Sequence, residues 1–389
     1  MRIPRTVVFL GLVSFFNDLA SEMIYPIVPI FLTAVLHTSL PALGLIEGVA
    51  ESTASLSKYG FGTFSDYVRR RKVFVLWGYG LGAFSKLLIG LASSWPFVLT
   101  ARFVDRVGKG VRTAARDSLL LENTTPETRG RIFGFHRAFD SLGAVFGPLI
   151  GLLLLFLLHD NMRLTFFIAF IPAVIAAVVL FACVHEKPRA ILSAPKHRVK
   201  IGWRTLNPSL RLFLIVNVLF ALGNSSDAFI ILRGQSLGFT TSLVVCTYVL
   251  YNVSQTLFAT PAGIVADKIG AKKVYGAGLV IFALVYAGFG FAHEAWWLWI
   301  LFPVYGMYIA FTDGVGKAYI SEFVVPEESG TYFGLHYTLT AFGTLAASVF
   351  GGLLWASFGP SVTFLYGSVM AIVACVVFCI GSLATRQKP

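Results

Sequence analysis

Apolar runs of about twenty residues succeed one another along this chain with short polar breaks, and no other feature narrows its fold as much. Inside a bilayer no water is available to the backbone, so only helices or a closed barrel can cross it. A barrel strand needs about ten residues of alternating polarity, and these runs are longer and mostly apolar. Twelve helical spans fall near 6–36, 40–62, 73–94, 96–121, 131–158, 163–184, 210–235, 240–264, 273–292, 296–322, 332–355 and 361–384. Hydrophobic residues make up 56% of the chain and charged ones 13%, about half the charged share of a soluble domain. A large soluble core is excluded. The first run is too long for a signal-peptide core and lacks a small-residue cleavage site, so it is expected to remain as the first span. The fold class is an all-α integral membrane protein with twelve transmembrane helices.

One connection is long. Residues 185–209, HEKPRAILSAPKHRVKIGWRTLNPS, form a basic linker that divides the chain into six-helix bundles at 1–184 and 210–389. Arg2, Arg5, the RRRK run at 69–72, Arg129, Arg131, the linker, Lys268, Lys272, Lys273, Arg386 and Lys388 fall on one side of the spans. The opposite loops hold only Arg163 and Arg233. This asymmetry places both termini and the linker in the cytoplasm, with the chain multi-pass in the inner membrane of a prokaryote and expected to be monomeric. It also accounts for most of the net charge of +12, which is spread over separate loops and does not point to nucleic acid. Cys183, Cys246, Cys375 and Cys379 lie in apolar runs at no metal or redox spacing.

The halves repeat one another. Gly62, Asp66, Arg71 and Lys72 stand 201 positions before Gly263, Asp267, Lys272 and Lys273. FGFH at 133–136 recurs as FGLH at 333–336, and DRVGK at 105–109 as DGVGK at 313–317. The pattern is an internal duplication of six spans.

The fourth span is unusual. ARFVDRVGKGVRTAARD, residues 101–117, carries five cations and two acids. Arg102, Asp105, Lys109, Arg112 and Arg116 step by three and four residues, which sets them on one helical stripe with Arg106 beside it. One cation at the bilayer centre costs roughly 2.5–3.5 kcal/mol even on the lenient insertion scale, so the stripe must face protein or water. Its partners are sought in Asp18 and Glu22 on the first span, Glu47 and Glu51 on the second, and Asp140 on the fifth, with Lys86 on the third adding a further base. A buried acid beside a cation is poised between two protonation states, because burial opposes its charge and the cation favours it. Asp18, Glu22, Glu51 and Asp105 are the candidates to carry protons. Arg106, Lys109 and Lys86, with Asp227, Tyr251, Asn252, Asp313 and Lys317 from the charge-poor second half, are the candidates to line a substrate cavity. His136 and His336, at matching positions, read as packing or gate residues.

With these motifs in view the chain resembles the major facilitator superfamily of secondary transporters, in particular its drug/proton antiporters. The resemblance rests on the Gly-x-x-x-Asp loop with its paired cations after the second span of each half. The second copy keeps Gly263, Asp267, Lys272 and Lys273; the first keeps Gly62, Asp66, Arg71 and Lys72 but has Arg69 where Gly is usual. It implies that these loops act as a cytoplasmic gate, with Arg112 and Arg116 near enough to reach Asp66. Gly143, Gly147, Pro148 and Gly151 resemble the antiporter motif on the fifth span, and their spacing alone suits close helix packing. Arg102 is similar in place to an arginine that assists proton transfer in such antiporters, although Arg106 stands where their motif has Gly. The resemblance implies a pseudo-symmetric pair of six-helix halves and proton-coupled export of a small polar or charged organic solute by alternating access. Symport of an organic anion and flipping of a lysolipid are the alternatives. No Gly-rich phosphate loop, nucleophile elbow or metal motif occurs, so neither an enzyme, a cofactor, a metal nor ATP drive is expected.

Overall fold

Segments that must satisfy their own backbone in lipid are helical, and the computed structural model, which describes residues 3–68, 71–121, 129–186, 206–324 and 329–386, shows no strand among them. The first span is α1 (Arg5–Ile24), the short α2 (Ile27–Ile30) and a π turn, Phe31–Val35. Next come α3 (Leu40–Val68), α4 (Arg71–Leu91), α5 (Trp95–Leu121), α6 (Arg129–Leu157) and α7 (Met162–Cys183). The seventh span is α8 (Pro208–Gly223) followed by α9 (Asp227–Ser236). Then follow α10 (Thr241–Ile269), α11 (Ala271–Phe291), a 3₁₀ turn leading into α12 (Leu298–Ser321), α13 (Ser329–Phe358) and α14 (Pro360–Arg386). Among the described residues, ten segments are long and apolar enough to cross a membrane on composition alone. The other two spans, α3 and α5, are equally long at 29 and 27 residues but carry the charges. The protein is an all-α, twelve-span membrane protein.

The helix bounds sharpen the internal repeat. α4 ends at Leu91 and α11 at Phe291, and the fourth span begins at Trp95 and the tenth at Ala295. The offset is 200 throughout this region, and α3 and α10 differ by 201. This corrects one sequence pairing. The counterpart of DRVGK at 105–109 is residues 305–309, and the similar DGVGK at 313–317 lies two turns further along α12.

Both repeats break their first helix at the same place. Pro26 lacks an amide N–H and α1 stops just before it, at Ile24. In the seventh span Asn224, Ser225 and Ser226 interrupt the helix, and Ser226 Oγ accepts a hydrogen bond from Ala228 N to start α9 again.

Glycines set the closest helix contacts. A Cβ on Gly143 would stand 2.9 Å from Asp18 Cβ, and one on Gly147 2.8 Å from Glu22 Cβ. Gly151 meets the backbone of Met23. This stripe of small residues on α6 lets α1 approach at the turns that carry Asp18 and Glu22. The two arginines on the sparse side have structural work. Arg163 Nη1 donates to Gly90 O at 2.9 Å, and Arg233 donates to Phe289 O at 3.0 Å and to Ala292 O at 2.6 Å. Each side chain satisfies the orphan carbonyls at the C-terminus of α4 or of its counterpart α11.

Contacts group the chain into two units that depart from the division at the linker. One holds Met1–Thr38, Val49–Ala194 and Thr241–Val249; the other holds Ser39–Gly48, Pro195–Thr240 and Leu250–Pro389. The first turns of α3 fall in the second unit because Gly44 and Gly48 admit the backbone of α13 at Ser348 and Leu345. Most of the proposed linker, 187–205, lies outside the described residues.

Candidate functional site

In the first unit the charged stripe of α5 is buried. Arg102, Arg106 and Arg112 are all 5–6% exposed. Arg106, which the periodicity put beside the stripe, donates from Nη2 to Glu51 Oε1 at 2.9 Å. Lys86 Nζ lies 3.8 Å from Asp105 Oδ1 and donates to Gly82 O and Ser21 Oγ, while Ser85 Oγ donates to Asp105. Arg116 donates to Asp117 Oδ1 at 3.1 Å and to Ser14 Oγ at 2.9 Å, and lies 4.0 Å from Asp140. His136 closes this group, with Nε2 2.9 Å from Ser14 Oγ and Nδ1 3.6 Å from Asp140 Oδ2. Asp18 accepts from Asn17 Nδ2 at 3.0 Å and lies within electrostatic reach of Asp140, Arg112, Arg116 and Lys109. Two cations rest on aromatic faces: Arg102 over Tyr25 at 5.6 Å and Arg112 over Tyr79 at 5.0 Å. Arg112 Nη1 is buried and has no hydrogen-bond partner among the described residues.

In the second unit the corresponding space holds phenols. Tyr305 OH donates to Asp227 Oδ1 at 2.7 Å and Tyr251 OH to Oδ2 at 3.4 Å. Tyr286 OH donates to Ser225 O at 3.3 Å, and Asn224 Nδ2 donates to Tyr308 OH at 3.1 Å. Four tyrosines from three helices thus converge on the break in the seventh span. Asn252 is buried nearby on α10.

The breaks also carry an exchanged pair of contacts. Within the first unit, Tyr248 of α10 donates to Glu22 Oε2 at 3.0 Å and stacks on Tyr25 with centroids 5.6 Å apart. Within the second, Glu47 of α3 accepts from Ser226 Oγ at 3.3 Å. Glu47 and Tyr248 occupy equivalent positions in α3 and α10. The sequence reading counted Glu47 with the first-half acids; the structure groups it with the second-half break. Tyr286, Tyr305 and Tyr308 were missed altogether, although they stand 200 positions after Lys86, Asp105 and Gly108.

The major facilitator superfamily model matches residues 10–251 and again 213–389, which together cover nearly the whole chain. The chain belongs to this superfamily. It is 36% identical to the MFS-type transporter MJ1317 of Methanocaldococcus jannaschii over 96% of this chain and 94% of that protein. The multidrug resistance protein MdtG of Escherichia fergusonii is 23% identical over 99% of this chain and 96% of its own length. Among solved structures, the nucleoside transporter NupG aligns with a TM-score of 0.77 at 14% identity, over 99% of this chain and 100% of that one. An auto-inhibited peptide transporter of the POT family aligns at 0.79 and 13% identity, over 99% and 98%. These last two show a shared fold. The protein is a multi-pass membrane transporter of the facilitator type.

In this facilitator the proposed gate residues are only partly visible. The side chains of Gly62 and Asp66 fall outside the described residues. Arg71 and Lys72 begin α4, and their backbone amides donate to Glu186 Oε1 and Oε2 at 2.7 and 3.1 Å. Glu186, read from sequence only as part of a basic linker, caps that helix. Lys72 Nζ donates to Phe181 O at 2.8 Å, Lys272 lies over the Phe378 ring at 5.9 Å, and Asp267 and Lys273 are exposed. Arg112 and Arg116 turn to the buried partners described above. Asp313 and Lys317 form an ion pair at 2.8 Å, but their side chains are 54% and 42% exposed. They follow the tyrosine layer by two turns, and Lys317 matches the half-exposed Asp117. Among the described residues no group of His, Cys, Asp and Glu gathers as a metal site requires.

Proposed function

We propose that this facilitator is a proton-coupled antiporter that exports a small polar or charged organic solute by alternating access. The observation that carries the reading is the acid pair on α1. Asp18 and Glu22 lie one turn apart against the glycine stripe of α6, within electrostatic reach of Arg106, Lys109, Arg112 and Arg116. Burial opposes their ionisation and the α5 cations favour it. Movement of α5 relative to α1 therefore changes proton affinity, which is what coupling requires. Glu22 also holds Tyr248, so its protonation changes a contact made by α10. Arg102, Glu51 and Asp105 complete the proton-linked set. The cavity candidates are Lys86, Arg106, Lys109, Asp227, Tyr251, Asn252, Asp313 and Lys317.

Export is favoured by the Gly143, Gly147, Pro148 and Gly151 motif and by the likeness to MdtG, described as a multidrug resistance protein. The two six-span halves are joined by the 185–209 linker, with both termini cytoplasmic and the protein monomeric in a prokaryotic inner membrane. The test is purified protein in liposomes holding a pH-sensitive dye, challenged with organic cations, anions and zwitterions. Solute-driven proton movement that is lost in Asp18→Asn and Glu22→Gln supports the reading. Solute equilibration with no proton movement sinks it.

A further inference from the structure

The break in the seventh span has the chemistry of a receptor for an ammonium group. Asp227 is half-buried, and each of its oxygens accepts a hydrogen bond from a phenol. An ionised carboxylate can accept both bonds, since it has two acceptor oxygens and no proton of its own. Tyr251 and Tyr305 stand with ring centroids 5.5 Å apart, and Tyr305 and Tyr308 5.1 Å apart. Phe282 and Tyr286 back them at 6.4 and 6.1 Å from Tyr305. A second carboxylate, Glu47, is 1% exposed and holds Ser226, the residue beside Asp227.

Asp227 is the first residue of α9, where its charge also suits the positive end of that helix. Tyr286, Tyr308 and Asn224 make hydrogen bonds at the interrupted stretch, and Ser226 caps α9. An alanine at 227 would leave each of those bonds in place. Arg233 anchors α9 to the end of α11, so Asp227 is carried on a fixed element. A half-buried carboxylate beside clustered aromatic rings favours a cation that is bulky and weakly hydrated, because such a cation gives up its water readily and is attracted by both the charge and the ring quadrupoles. An anion meets two carboxylates there, and a neutral solute lacks the charge attraction that an ammonium gains.

We propose that Asp227, with Tyr251 and Tyr305 and supported by Glu47, forms the subsite that binds an organic ammonium head group on the transported solute. The proposal deepens the transport reading and rests on it for its purpose, but the binding itself needs no proton gradient.

The experiment measures equilibrium binding of choline to the purified protein in nanodiscs at one pH, beside its neutral tert-butyl isostere. Choline is expected to bind about tenfold or more tightly than the isostere. Asp227→Asn should remove that preference. Tyr305→Phe, which keeps the ring, should weaken choline by about threefold, and Tyr305→Leu by about tenfold. Equal binding of choline and isostere, or unchanged choline affinity in Asp227→Asn, overturns the proposal. If Asp227→Asn is not recovered as a monodisperse protein, the isostere comparison and the order of the two Tyr305 variants decide alone, with Phe no better than Leu counting against it. Choline binding through Asp227 without solute-driven proton movement breaks the antiport reading and leaves this one standing. Proton coupling with indifference to charge at Asp227 does the reverse.

Discussion

Lys86 and Asp105 occupy in the first repeat the places that Tyr286 and Tyr305 occupy in the second. The first two form an ion pair at 3.8 Å; the second two face each other as rings 6.1 Å apart. The same exchange runs through the second helix of each repeat, where Glu47 and Glu51 match Tyr248 and Asn252. One helical frame thus carries ions in one copy and neutral hydrogen-bonding groups in the other. Ions held in a membrane interior must be paired or reach water. Phenols and amides satisfy their polar atoms at lower cost and add aromatic surface. The division suits the proposed roles: a region where protonation can change, and a region that holds a solute by its shape and charge.

Removing one ion should have the largest effect. Asp105→Asn leaves Lys86, 1% exposed, with its charge uncompensated, and should cost about 3–5 kcal/mol in chemical unfolding. The double variant Lys86→Tyr with Asp105→Tyr, which copies the second repeat, should recover most of that loss. A double variant no better than the single one would show that the pair does not act as a pair, and the comparison would fail.

Helix approach comes next. Gly147→Ala puts a methyl 2.8 Å from Leu19 O and Glu22 Cβ and should destabilise by about 1–3 kcal/mol while slowing transport. Its counterpart in the second repeat is Ala347, already 2% exposed and accommodated. Ala347→Gly should cost no more than about 1 kcal/mol. Equal effects at the two positions would show that the stripe on α6 has no special tie to the acids of α1.

The smallest effect is expected at Tyr286→Phe, which removes the hydrogen bond to Ser225 O and leaves the ring stack. A loss of about 1 kcal/mol, with solute-driven proton movement unchanged, would confine the phenol to holding the helix break. Loss of proton movement would extend proton chemistry into the second repeat.

Much of the fold was legible in the chain itself. Spans, the duplication and the burial of the α5 stripe followed from period and hydrophobicity. The sites were less so. Glu47 and Glu51 lie one turn apart on α3, yet Glu47 bonds to Ser226 while Glu51 pairs with Arg106. Nothing in their spacing foretells that the helix is shared between two contact units. The DGVGK match misled because four identical residues out of five outweighed register, whereas the helix bounds of α5 and α12 leave no freedom to slip. Glu186 was masked by the cations around it and recognisable only once it sat on the first turn of α4.

What the amino-acid sequence determined by itself is the class and the frame: a twelve-span facilitator built from two repeats, with its ions in the first. That follows because lipid allows few ways to satisfy a backbone or to place a charge. Which acid meets which cation, and which tyrosines gather around Asp227, only the tertiary structure decided. Those pairings depend on glycine-permitted helix approach and on a break three residues long, and they join side chains far apart in the chain whose distances no local pattern encodes.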